Sequence, residues 1–188
     1  TIKVADDATT PGSATREITI TVNDINPSIT GSQVFSVDEN STSGTAVGTV
    51  AKTGDTNGLT WSITGGTGQS LFSIDSSTGA ITVTNGATLD YEGTNSYTLN
   101  VAVDDEDGDT TADSTSTVTI NLTDVNDAPT LTTVATLTGA TEDTAHTITY
   151  ATLAAAANDA DEDSGATVSF RVEAVSRGAL YTNPGLTT

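Results

Sequence analysis

Residues 96–104 read Ser-Tyr-Thr-Leu-Asn-Val-Ala-Val-Asp. Tyr97, Leu99, Val101 and Val103 alternate with small or polar residues, so one face of the segment is apolar. A period of two is the mark of a β-strand that packs one face against a core. The alternation returns at Phe35/Val37, Leu59/Trp61/Ile63, Ile81/Val83 and Val118/Ile120/Leu122. It recurs near the termini, at Ile18/Ile20/Val22, Ile148/Tyr150 and Val168/Phe170/Val172. Threonine fills many intervening positions, and a β-branched polar side chain suits the solvent face of a strand. Turn-forming clusters separate the runs, as at Thr64-Gly65-Gly66-Thr67-Gly68 and Ser76-Ser77-Thr78-Gly79. The pattern predicts an all-β chain of antiparallel sandwiches. One helical turn is expected, at residues 153–157.

Composition narrows the function. The 188 residues suggest one or two domains. Acidic residues number 25 against five basic ones, for a net charge of −20. Such a chain repels nucleic-acid phosphates and anionic membranes and favours bound cations. There is no cysteine, so disulfides and thiolate metal sites are excluded. No apolar run approaches the length of a membrane span. The chain opens in mid-pattern at Thr1-Ile2-Lys3-Val4 and reads as an excerpt from a longer protein. Catalysis is not expected. His146 stands alone, no nucleophile elbow is present, and nothing marks a substrate cleft between Asp90 and Glu92.

An internal repeat sets the organisation. Thr1-Ile2-Lys3-Val4-Ala5 resembles Thr98-Leu99-Asn100-Val101-Ala102, and each is followed by an acidic pair. A Ser/Thr-rich turn then leads into Ile18-x-Ile20-x-Val22-x-Asp24 or Val118-x-Ile120-x-Leu122-x-Asp124. The period is about 100 residues, the size of an immunoglobulin-like sandwich. Residues 1–26 read as the last strands of a preceding unit, 27–128 as one whole unit, and 129–188 as the start of another.

Carboxylates gather at the unit boundary. Leu89-Asp90-Tyr91-Glu92 lies upstream of Asp124-Val125-Asn126-Asp127, and neither contains histidine or cysteine. Carboxylate and amide oxygens suit a hard cation, above all calcium, which takes six to eight oxygen ligands. Alternation along an extended segment would place Asp90 and Glu92 on the same side. Without a cation, like charges about 4 Å apart repel by roughly 4 kcal/mol each at an effective dielectric near 20.

The landmarks of the middle unit resemble a cadherin repeat, in the form found in large bacterial surface adhesins. They are Val37-Asp38-Glu39-Asn40, Phe72-Ser73-Ile74-Asp75, Thr78-Gly79-Ala80-Ile81, Leu89-Asp90-Tyr91-Glu92 and Asp124-Val125-Asn126-Asp127-Ala128-Pro129, in that order. Thr141-Glu142-Asp143-Thr144 and Asn158-Asp159-Ala160-Asp161-Glu162-Asp163 resemble a related cadherin-like repeat. The resemblance implies tandem immunoglobulin-like Greek-key sandwiches with incomplete flanking units. It also implies calcium between successive units. The ligands carried over are Glu39, Asp90 and Glu92 upstream and Asp124, the main-chain oxygen of Val125, Asn126 and Asp127 in the linker. Downstream they are Asp159/Asp161 or Asp161/Asp163. Asp104 or Asp105 matches a late ligand serving the junction before the middle unit. Ala128 stands where the family has asparagine, which weakens one cation position.

Other features have plainer readings. Trp61 and Tyr97 are expected in the core, Asp38 is exposed, and residues 106–109 form a solvated hairpin. Asn40-Ser41-Thr42 and Asn121-Leu122-Thr123 are sequons, relevant only in a eukaryotic secretory pathway. The expected function is a calcium-braced, rigid extender of a bacterial cell-surface adhesin, partnered by neighbouring repeats. Glycan or cell-surface ligands would then bind through other domains. The alternative is a module that itself grips a glycan or a partner cadherin. The first linker is expected to bind calcium more weakly than the second. Pro27 stands where Asp127 does, and Lys52-Thr53-Gly54-Asp55 replaces an Asp-x-Asp pair.

Overall fold

A computed structural model describes residues 2–5, 13–16, 25–105 and 111–174. The expected strand at Ile18/Ile20/Val22, linker residue Asp24 and residues 106–109 lie outside the described residues. Contacts divide the chain into two compact units. The first comprises Thr1–Val37, Ser41–Thr88 and Ser96–Asn121. The second comprises Asp38–Asn40, Leu89–Asn95 and Leu122–Thr188.

The first unit is a β-sandwich. At its start, β1 (Ile2–Ala5) pairs antiparallel with β2 (Ser13–Arg16). A short ribbon follows, β3 (Ser28–Ile29) with β6 (Lys52–Thr53). The larger sheet has the order β4-β11-β10-β7, from Gln33–Asp38, Ser114–Thr123, Ser96–Asp104 and Thr60–Gly65. The smaller sheet has the order β5-β9-β8, from Ala46–Thr49, Ala80–Val83 and Phe72–Ile74.

Register follows the alternation. Leu99 of β10 stands opposite Val118 of β11, and both are fully buried. Val103 stands opposite Trp61 of β7, again both inward. Phe72, Ile81 and Val83 fill the core from the smaller sheet. The Phe72 ring meets Tyr97 edge-on at 6.0 Å, a favoured aromatic geometry.

Two glycines permit the sheets to approach. A Cβ on Gly48 would lie 2.5 Å from the Phe35 ring. Gly79 has φ +72°, and a Cβ there would lie 2.9 Å from the Trp61 indole. Gly79 closes the β8–β9 turn, which Asp75 organises. One Asp75 oxygen accepts the main-chain N–H groups of Ser77 and Thr78 and both of their hydroxyls, at 2.7 to 3.0 Å.

The second unit is more open. Bridges join Thr130 to Ala160 and Val134 to Ala157. Asn158 locks this region by accepting the N–H groups of Thr132 and Thr133 at 3.1 and 2.7 Å. Helix α1 spans Tyr150–Ala156, longer than the expected single turn. Thr149 caps it by accepting the N–H of Thr152 at 3.1 Å, and an alanine-rich run sustains it. The alternation at Ile148/Tyr150 therefore yields to a helix start. Val168/Phe170/Val172 finds no partner strand among the described residues. Instead the Tyr150 hydroxyl donates to Val168 O, and its ring packs at 5.6 Å from Phe170. No helix among the described residues is long and apolar enough to cross a membrane.

Candidate metal centre

Three segments of the second unit meet at Glu39. Its own N–H donates to Thr123 O at 3.1 Å. The side chain is 3% exposed, the one buried charged group in the described core. Its Oε2 accepts the N–H of Tyr91 at 2.7 Å, and its Oε1 accepts the N–H of Val125 at 2.9 Å. A carboxylate has about four lone-pair positions, so both oxygens retain capacity for another partner.

Oxygens of Glu39, Glu92 and Asp124 all lie within 4.8 Å of one another. Glu92 and Asp124 are exposed while Glu39 is buried. Desolvation, and then the charges of Glu39, Asp124 and Asp163, push the Glu92 carboxyl above its ordinary range, opposed by a main-chain hydrogen bond. Desolvation, and then the charges of Asp163 and Glu39, push Asp124 the same way. Mutual repulsion between carboxylates and the desolvation of each have the same sign.

The downstream aspartates extend the cluster. Asp163 bears on Asp124 by like-charge repulsion and accepts the N–H of Asp127 at 2.7 Å. Asp161 accepts the N–H of Asp163 at 3.1 Å. Asp163 is thus the downstream aspartate that bonds within residues 124–127. Asp159, half-buried, makes none of these bonds.

Other expected ligands are placed differently. Residues 91–93 form a turn rather than an extended segment. Asp90 Oδ1 accepts the N–H of Gly93 at 2.7 Å, and Asp90 O accepts that of Thr94 at 2.9 Å. The Asp90 side chain thus caps the turn that presents Glu92, and it is not in the close trio. The Asn126 amide donates to Asp127 O at 2.6 Å, and Val125 is 40% exposed. Asp104 ends β10 in the first unit.

Sequence reasoning missed Asn40. Its Nδ2 donates to Asp127 Oδ1 at 3.1 Å, and its N–H donates to Leu89 O at 3.0 Å. Among the described residues it is one of two non-glycine residues with positive φ, at 54°. The available signal was an asparagine directly after the ligand-like Glu39, since asparagine tolerates left-handed backbone.

Known proteins share this architecture. The human desmocollin-1 ectodomain is 33% identical with a TM-score of 0.51, the match covering 60% of this chain and 23% of that one. Chicken VE-cadherin EC1-2 is 33% identical with a TM-score of 0.47, over 55% of this chain and 53% of that one. The chain therefore spans only part of the length of these relatives. No curated protein matches it. Cadherin domains are extracellular structural modules of adhesion, and they typically bind calcium and neighbouring repeats. One family model, the cadherin domain, matches residues 33–123, and another, the cadherin-like domain, matches residues 125–187. By these two consecutive matches the chain belongs to the cadherin and cadherin-like domain families.

Proposed function

We propose that the chain is a calcium-braced extender segment of a bacterial cell-surface adhesin, made rigid where one repeat meets the next. The observation that carries this reading is the convergence of Glu39, Glu92 and Asp124 oxygens within 4.8 Å. The donor set fits calcium. It is all oxygen and anionic, and one member is pre-oriented by two main-chain N–H groups. Glu39, Glu92 and Asp124 would hold the ion. Asp127, Asp161, Asp163, Asn126 and the Val125 carbonyl would complete or support the shell. Calcium would supply the positive charge that this cluster lacks, coupling cation binding to the order of residues 122–127.

The extender reading is favoured over direct glycan recognition by the fate of the aromatic side chains. Trp61 and Phe72 are buried, and Tyr97 packs edge-on against Phe72. Among the described residues the exposed Tyr150 ring is paired with Phe170 at 5.6 Å, which leaves few rings to stack on a sugar.

Calcium titration by calorimetry, with molecular dimensions followed by small-angle scattering, tests the proposal. Saturable heat together with a longer, stiffer particle is expected. Absence of binding at millimolar calcium would refute it. Binding without any change in dimensions would remove the extender role.

A further inference from the structure

We propose that Asn40 is a positioning residue for the cation site, orienting Asp127 so that one of its oxygens faces the ion. This inference rests on the calcium reading above and assigns a role to a side chain that would not itself touch the metal.

Asp127 is held at two points. Its N–H donates to Asp163 at 2.7 Å, and its Oδ1 accepts the Asn40 amide at 3.1 Å. Oδ1 is engaged by the amide, while Oδ2 makes neither of these bonds and would be the freer oxygen toward a cation. Asn40 is itself fixed, because its N–H donates to Leu89 O and its φ is 54°. The adjacent Glu39 carboxylate is fixed by Tyr91 and Val125. The Glu39–Asn40 dipeptide therefore sets both a buried carboxylate and the linker's last carboxylate.

The residue type suits this role. A carboxamide donates to a carboxylate without neutralising it. Lysine at this position would act as a rival cation, and aspartate would repel Asp127. Asparagine also tolerates left-handed backbone, where alanine would be strained.

The test uses Asn40→Gly, which keeps the backbone freedom and removes only the amide. Calorimetry should show calcium binding weakened by roughly three- to tenfold, the factor carried by one net hydrogen bond. The melting temperature in chelator should be preserved. Amide hydrogen exchange at Asp127 in chelator should be faster than in the wild type. Asn40→Asp, which also permits the backbone, should weaken the chelated protein as well. Wild-type calcium affinity in Asn40→Gly would overturn the positioning role. If the wild-type chain itself binds no calcium, the calcium reading fails and this role fails with it. The wild-type titration thus separates the two failures.

Discussion

The Glu39 carboxylate lies 2.7 Å from the Tyr91 N–H, a bond that joins residues 52 apart in the chain. Glu39 is thus a structural acceptor in its own right, and its removal acts even when no metal is present. Glu39→Ala should lose at least about 1–3 kcal/mol of stability in chelator, because the main-chain donors of Tyr91 and Val125 both lose their acceptor. Urea unfolding in excess chelator measures this. An unchanged midpoint would show that the buried hydrogen bonds are dispensable.

Glu92 differs, being exposed and repelled by Glu39, Asp124 and Asp163. In chelator, Glu92→Gln should therefore be at least as stable as the wild type. At calcium 100 times the dissociation constant the wild type gains about 2.7 kcal/mol, and the variant should lose most of that gain. His146→Ala should retain it. Melts with and without calcium read both effects, and a full calcium shift in Glu92→Gln would exclude Glu92 as a ligand.

Asp75 supplies a pH dependence away from the proposed cation site. Hydrogen bonds from the Ser77 and Thr78 hydroxyls, then from their main-chain N–H groups, lower its pKa from 3.8 to about 2. A depressed folded pKa contributes stability that is present above the unfolded value and lost as pH falls through the folded one. The stability gap between wild type and Asp75→Ala should be full near neutrality and close between pH 3.8 and about 2. A gap that stays constant to pH 2 would assign the effect to shape rather than charge.

Gly79 and Gly86 both have positive φ, +72° and +78°, but a Cβ meets Trp61 only at Gly79. Gly86→Ala should cost about 1 kcal/mol from backbone strain alone. Gly79→Ala should cost about 2–4 kcal/mol, because overpacking adds to strain. Equal costs in chemical unfolding would mean that the indole yields freely.

The linker before the middle repeat should fill with calcium later than the one after it. At that end the Asn26 amide is engaged by Asp113, and the Lys52 ammonium donates to Asp55 O. One Asp55 oxygen accepts the N–H groups of Thr56 and Asn57 and the Asn57 amide. Crystals grown at limiting calcium should show occupancy around Glu92 first. Equal occupancy beside Asn26 would contradict the order.

Much of the sandwich was legible because burial on one face writes itself as alternation. Leu99, Val101 and Val103 are buried as the period of two requires, as are Val118, Ile120 and Leu122. The short strands β3, β5 and β6 carry two to four residues, too few for a period to register. Tyr150 misled because alternation over two residues cannot compete with a threonine cap and an alanine run. Within the site, the carboxylate types and spacing pointed to Glu92 and Asp124. The turn that separates Asp90 from Glu92 was invisible, because it depends on Gly93 and on a side chain bonding its own neighbourhood. The Asn40–Asp127 contact spans 87 residues, and no local pattern encodes it.

The sheet order β4-β11-β10-β7 places the sandwich's early strand beside its last. Bonds 85 residues apart reinforce that pairing, from Ile29 N to Ser114 Oγ and from Ser116 Oγ to Gly31 O. A chain delivered from one end, by synthesis or through an export conduit, presents β4 long before β11. Until β11 emerges, β4 lacks the neighbour that completes its ladder, and closing so long a loop must precede any reward from it. The β4–β11 edge of the repeat therefore closes only once its final strand is free.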